Sequence, residues 1–173
     1  MKDNYSLTRK ACYISYTVQA LCINIAPLFF VIFKRDYGLN VADIAFLVLF
    51  SFIIQLLTDV FTIKLINTFG YRKCAVSANF IAFTGLVLLS ILPTVMPIFP
   101  AVMISSFLYS VGAGLVEVVI NPIIDAFPNK NNAMALTVLH SFYCWGQTAV
   151  ILISTFLIYL FGESKWFLIP LIW

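Results

Sequence analysis

An acid, an amide and a second acid follow one another at steps of four in GAGLVEVVINPIIDAF, residues 112–127: Glu117, Asn121 and Asp125. That spacing lays them along one helix face. The surrounding residues are apolar, so Glu117 sits where hydrocarbon is expected. Insertion of an ionised acid near the bilayer centre costs about 2.5–3.5 kcal/mol, and such residues pair, face a cavity, or mark an ion or substrate pathway. If the run ends near Ala126, Glu117 lies about 13 Å from its end at 1.5 Å per residue, close to the midplane of a core about 30 Å thick. A carboxyl that gains and loses a proton there suits proton coupling or solute binding. A structural acid paired with His140 or a lysine is the plainer alternative. Pro122 leaves the Val118 carbonyl without its helical donor, and Gly112 and Gly114 permit close packing or bending.

Other apolar runs carry polar lines of their own. Ser51, Gln55, Thr58 and Thr62 step by four, three and four. His140, Tyr143, Cys144 and Gln147 follow at offsets of three, four and seven from the first. Tyr13, Thr17 and Asn24 are spaced less regularly. Facing inward together, these lines would border a polar cavity. Individually, Ser, Thr and Asn also serve as contacts between helices, worth roughly 1 kcal/mol. Tyr13 and Tyr16 read as interface anchors, Trp145 as packing or a stacking surface, and Asp59 as a partner of Lys64.

The elements that must hold these residues follow from composition. The 173 residues are 62% hydrophobic and 10% charged, against roughly 25% charged in soluble domains. Water cannot be faced with so few charges, so the expected class is an all-α integral membrane protein. A span needs about 20 mostly apolar residues. Spans are expected over 12–33, 42–66, 74–93, 98–126 and 134–161. A sixth begins near Trp166, and its eight residues to Trp173 rise only about 12 Å as a helix, which leads us to expect a truncated sixth span. The connections KRDYGLN, INTFGYRK, PTVMP, FPNKNNA and FGESKW are short, which makes successive spans antiparallel neighbours in one transmembrane domain. The basic start precedes an apolar run too long for a signal segment and without a small-residue cleavage site, so it reads as a span that stays.

Lysine and arginine set the orientation. Lys2, Arg9, Lys10, Lys64, Arg72, Lys73 and Lys130 fall on one side, and Lys34, Arg35 and Lys165 on the other, seven against three. The amino terminus is therefore expected in the cytoplasm, in a multi-pass protein of the plasma membrane. The basic residues form no stacked, aromatic-interleaved patch, which speaks against nucleic acid. Cys12, Cys22, Cys74 and Cys144 have no paired spacing and read as packing residues. With one histidine and no paired acids, no metal or other cofactor is expected.

Several stretches resemble the amino-terminal half of the major facilitator superfamily. NTFGYRK resembles its loop signature between spans two and three, with Gly70, Arg72 and Lys73 matching and Asn67 where the family has Asp. EVVINP, residues 117–122, looks like the E-x-x-x-N-P of fucose–proton symporters and related sugar permeases. LHSFYCWGQ, residues 139–147, and NIAPLFF, in the first span, are similar to elements of the same group. The resemblance implies a six-helix half that pairs with a carboxyl-terminal half around a central site, and alternating access of that site to the two sides. It implies symport of a small polar solute, such as a sugar or polyol, with a proton through Glu117. Asn121, His140, Tyr143, Gln147, Asn24 and Gln55 would complete the site, and Asn67, Gly70, Arg72 and Lys73 the cytoplasmic loop. A half-transporter that is inert or dependent on a partner chain is the alternative. A membrane transferase using His140 with Glu117 or Asp125 is a more distant one.

Overall fold

In a bilayer every backbone N–H and C=O must be satisfied within the protein, and helices do this segment by segment. The computed structural model describes residues 3–127 and 132–173, and its architecture is entirely helical over them. Among the described residues, five helical segments are long and apolar enough to cross a membrane. Lys2 and Lys130, used in the charge count, lie outside the described residues, as does most of the fourth connection.

The first span is interrupted. Helix α1 (Asp3–Asn24) gives way to a turn at Ile25 and Ala26, a 3₁₀ turn (Pro27–Phe29) and helix α2 (Phe30–Asp36). The apolar run predicts one span over 12–33 without a break. Pro27 has no N–H for the carbonyl of Ile23, which breaks the ladder at that point. The Asn24 amide turns back onto the Ala20 carbonyl at 2.8 Å beside the break.

Helix α3 (Val41–Phe69) starts with a capping box: the Asp43 N–H donates to Asn40 Oδ1 at 2.8 Å, and Asp43 Oδ2 accepts from the Asn40 N–H at 3.1 Å. It runs straight through Asn67, which the sequence placed in a loop. The whole connection to α4 (Tyr71–Ile91) is Gly70, at φ +80°. A glycine adopts that angle without strain, so one residue reverses the chain. After a 3₁₀ turn (Leu92–Thr94) come α5 (Ile98–Asp125) and α6 (Asn132–Phe161), then a 3₁₀ stretch (Glu163–Leu168) and the short α7 (Ile169–Ile172).

Close contacts fix the helix directions. Gly85 meets Tyr109 and Gly112 meets Ala82, so α4 and α5 are antiparallel. Tyr16 bonds Asn121 and Gln19 bonds Glu117, so α1 also runs opposite to α5. Tyr13 stacks on Phe142 and Thr17 abuts Gly146, so α1 and α6 run together. Each long helix therefore reverses the one before it.

One apolar cluster gathers Phe29, Phe33, Leu89, Val102 and Trp166 at the end of the bundle where α2 lies. A second gathers Cys12, Tyr16, Ala78, Val116 and Leu139 towards the other end. Cys12, Cys22 and Cys74 are buried and free, while Cys144 is exposed and free. Trp145 is 74% exposed and belongs to neither cluster.

Candidate functional site

Glu117 lies eight residues before the end of α5, about 12 Å along the helix. Its Oε2 accepts two amide hydrogen bonds, from Gln19 Nε2 of α1 and from Gln55 Nε2 of α3, both at 2.8 Å. Three helices thus meet on one carboxylate oxygen. One turn further, Asn121 Oδ1 accepts from the Tyr16 hydroxyl at 2.7 Å, and Asn121 Nδ2 donates to the Glu117 carbonyl at 3.0 Å. The Tyr16 ring packs edge-on against His140 of α6, centroids 5.4 Å apart.

Except for Asn121, these groups border a cavity of about 540 Å³. Helix α1 contributes Tyr16 and Gln19, and α3 contributes Gln55 and Asp59. Helix α5 contributes Glu117, and α6 contributes His140 and Tyr143. A smaller cavity of about 250 Å³ adjoins it, sharing Ile23, Phe52 and Gln55. Asn24, Pro27, Ser51, Ser106 and Tyr109 lie along this second space. The break in the first span therefore borders the smaller cavity. Ser106 and Tyr109 share a hydrogen bond of 2.7 Å at its wall.

Of the residues expected at the site, Glu117, Gln55, His140 and Tyr143 line the larger cavity and Asn24 the smaller. The Tyr143 hydroxyl lies near the Asn24 side chain. Asn121 stands behind Glu117, held by Tyr16. Gln147 is half-buried one turn beyond Tyr143 and lines neither cavity. Asp125 is exposed at the end of α5, and its carbonyl accepts from Asn132 Nδ2 at 3.0 Å. Asn67 and Lys73 are exposed around Gly70, and Arg72 borders a separate groove between α1, α4 and α5.

Three readings change. Tyr16 is not an interface anchor: it is 2% exposed and bonded within the bundle. Asp59 makes no ion pair with Lys64. The ion pairs among the described residues join Arg35 to Asp36 and to Glu163, while Asp59 lines the cavity on the same α3 face as Gln55, four residues away. The α3 stripe divides: Ser51 and Gln55 face the cavities, whereas Thr58 and Thr62 turn their hydroxyls back to the Ile54 and Thr58 carbonyls, Thr58 against Gly114 of α5. Nothing in the sequence pattern singles out Gln19. Tyr16, Gln19 and Ile23, spaced by three and four, mark the face of α1 on the larger cavity, which Tyr13, Thr17 and Asn24 do not line.

A polar cavity between membrane-spanning helices, with an intramembrane carboxyl fixed by amides from two other helices, is the kind of site a solute carrier needs. The family model of the Major Facilitator Superfamily matches residues 12–173. The chain belongs to that superfamily. It is an integral membrane protein of a transporter family, and the bilayer and a small-molecule solute are its partners. No curated protein and no solved structure matches this facilitator chain.

Proposed function

We propose that this facilitator chain carries out secondary active transport of a small polar solute, coupled to protons through Glu117. The observation that carries the reading is the carboxyl of Glu117, deep in α5, held by Gln19 and Gln55 at the wall of an open cavity. Amide donors on one oxygen stabilise the carboxylate. Protonation weakens that grip, and the three helices that meet there feel the change. A neutral Glu117 spares the site the cost of moving a charge through lipid during reorientation. The amides and hydroxyls around it also suit a hydroxyl-bearing solute such as a sugar or polyol.

The larger cavity is bordered by α3 and α6, the two least buried spans. We infer that a second six-helix bundle, on whichever chain carries it, closes this side and completes the site, and that the two bundles rock to expose it alternately. The excess of basic residues on the side of the amino terminus and of the second and fourth connections supports a cytoplasmic amino terminus and a plasma-membrane location.

The test uses the protein reconstituted in liposomes loaded with a pH-sensitive dye. Addition of a transported solute should acidify the lumen with the wild type. Glu117→Gln should abolish the acidification and concentrative uptake while solute exchange persists. Concentration of solute against a gradient by Glu117→Gln would remove Glu117 from the coupling mechanism.

A further inference from the structure

The smaller cavity differs in chemistry from the larger one it adjoins. Ile23, Ala26 and Pro27 of the broken first span, Val48 and Phe52 of α3, and Val102 of α5 give it apolar walls. The polar side chains among them are mostly committed to the protein. The Asn24 amide donates to the Ala20 carbonyl at 2.8 Å, and the Ser51 hydroxyl to the Leu47 carbonyl at 3.0 Å. Ser106 and Tyr109 bond each other at 2.7 Å, and Gln55 gives its Nε2 to Glu117. Ser110, 4% exposed, carries the one hydroxyl on these walls without a hydrogen bond among the described residues.

Such a space suits an apolar group and not a sugar ring. A sugar ring brings several hydroxyls and would strand most of them against these walls, each at a desolvation cost. The volume of about 250 Å³ has room for one aromatic ring or a short branched chain, since an apolar cavity of about 150 Å³ takes up benzene. Entry is from the larger cavity: Ile23, Phe52 and Gln55 border both spaces, and Phe52 is 59% exposed. Glu117, His140 and Tyr143 stand on the larger side of that junction. Ser110 precedes Glu117 by two helical turns on α5, about 10 Å along the axis. One solute of ordinary size therefore reaches both spaces.

We propose that the transported solute is amphipathic, with a hydroxyl-bearing head beside Glu117, His140 and Tyr143 and one compact apolar group, up to a ring in size, seated in the smaller cavity between Pro27, Val48 and Phe52. This rests on the transporter reading above and adds the chemical class of its solute. It makes the break in the first span a specificity element: the wall at Pro27 and Phe30 selects the apolar end, and Glu117 is left to the proton and the head.

The probes are 3-phenoxy-1,2-propanediol and 3-methoxy-1,2-propanediol, which share the diol head and differ in the apolar group. Each is titrated into the full chain in lipid nanodiscs, with thermal stability as the readout. The phenoxy compound should stabilise the protein saturably, with a half-maximal concentration at least about tenfold below that of the methoxy compound, because about five more carbons leave water. Val48→Phe, which fills the smaller cavity, should remove that advantage, and the milder Val48→Leu should remove part of it. Val76→Phe, the same change at an exposed position of α4 outside both cavities, should leave it intact. Equal responses to the two probes, no saturable response to either, or a phenoxy advantage that survives both Val48 substitutions overturns the proposal, the last because the ring then sits in lipid or on another face. In those cases solute-driven lumen acidification that depends on Glu117 still upholds the transporter reading, with a wholly polar solute. Its absence for every solute defeats that reading separately.

Discussion

Gln55 of α3 and Glu117 of α5 are joined by a 2.8 Å hydrogen bond to the same carboxylate oxygen that Gln19 of α1 engages. Two amides on one acceptor are not independent. Removing either leaves the carboxyl one donor, and removing both leaves it none. Gln19→Leu and Gln55→Leu should therefore show a coupling of about 0.5–3 kcal/mol in a double-mutant cycle. The measurement is thermal unfolding of the two single variants and the double variant in one detergent. Strict additivity would show that the two amides do not share Glu117.

The bond between the Tyr16 hydroxyl and Asn121, 2.7 Å, sets the register of α1 against α5 one turn from Glu117. Tyr16→Phe keeps the ring against His140 and removes only the hydroxyl. Its stability cost should be about 0.6–2 kcal/mol, the range for hydrogen bonds between membrane helices. Transport should fall along with it, since Asn121 Nδ2 remains tied to the Glu117 carbonyl at 3.0 Å and loses its anchor on α1. A variant with normal stability and lower transport would assign Tyr16 to the solute instead of to the helix register.

The sequence reveals the helices and Glu117 because both follow from strong local rules. Long apolar runs must be helices in lipid, and a lone acid within one stands out against its neighbours. The partners of Glu117 are harder to read. Gln19 lies 98 positions away and Gln55 lies 62 away, and nothing local pairs an amide with a distant acid. Asp59 misled for the same reason: Lys64 was the nearest opposite charge along the chain, yet α3 turns the two to different faces. The break at Ile25 was foreshadowed by Pro27, whose effect on the helix depends on whether its neighbours can resatisfy the backbone. Asn67 and Arg72 looked like loop residues because a turn made of Gly70 alone leaves no loop to see.

Small residues set how closely α4 and α5 approach. A Cβ on Gly112 would lie 2.6 Å from the Ala82 backbone nitrogen, and one on Gly85 would lie 2.5 Å from that of Tyr109. Backbone atoms cannot step aside as a side chain does. Gly112→Ala and Gly85→Ala should each cost about 1–3 kcal/mol, visible as earlier thermal unfolding. Gly38, at φ +71° with nothing within 4 Å of an added Cβ, offers a contrast. Gly38→Ala should cost about 1–2 kcal/mol from backbone strain alone, with helix packing intact.

At the end of the bundle bearing α2, a charged contact and an aromatic one link the first span to the last segment. Arg35 pairs with Asp36 and Glu163, with side chains 55%, 38% and 46% exposed. Trp166 is 1% exposed, packs on Phe29 and Phe33 with centroids 5.0 and 4.9 Å away, and donates Nε1–H to the Tyr37 hydroxyl at 3.1 Å. Screening by solvent leaves exposed ion pairs worth about 0–1 kcal/mol, whereas loss of a buried tryptophan costs about 3–5 kcal/mol. Glu163→Gln should therefore scarcely change thermal stability, and Trp166→Ala should lower it sharply. Trp166→Phe should restore most of the loss, because the tilted and edge-on ring contacts with Phe29 and Phe33 largely survive while the bond to Tyr37 is gone. The reverse order, with Glu163→Gln the more damaging, would show that charge and not aromatic packing holds this end closed.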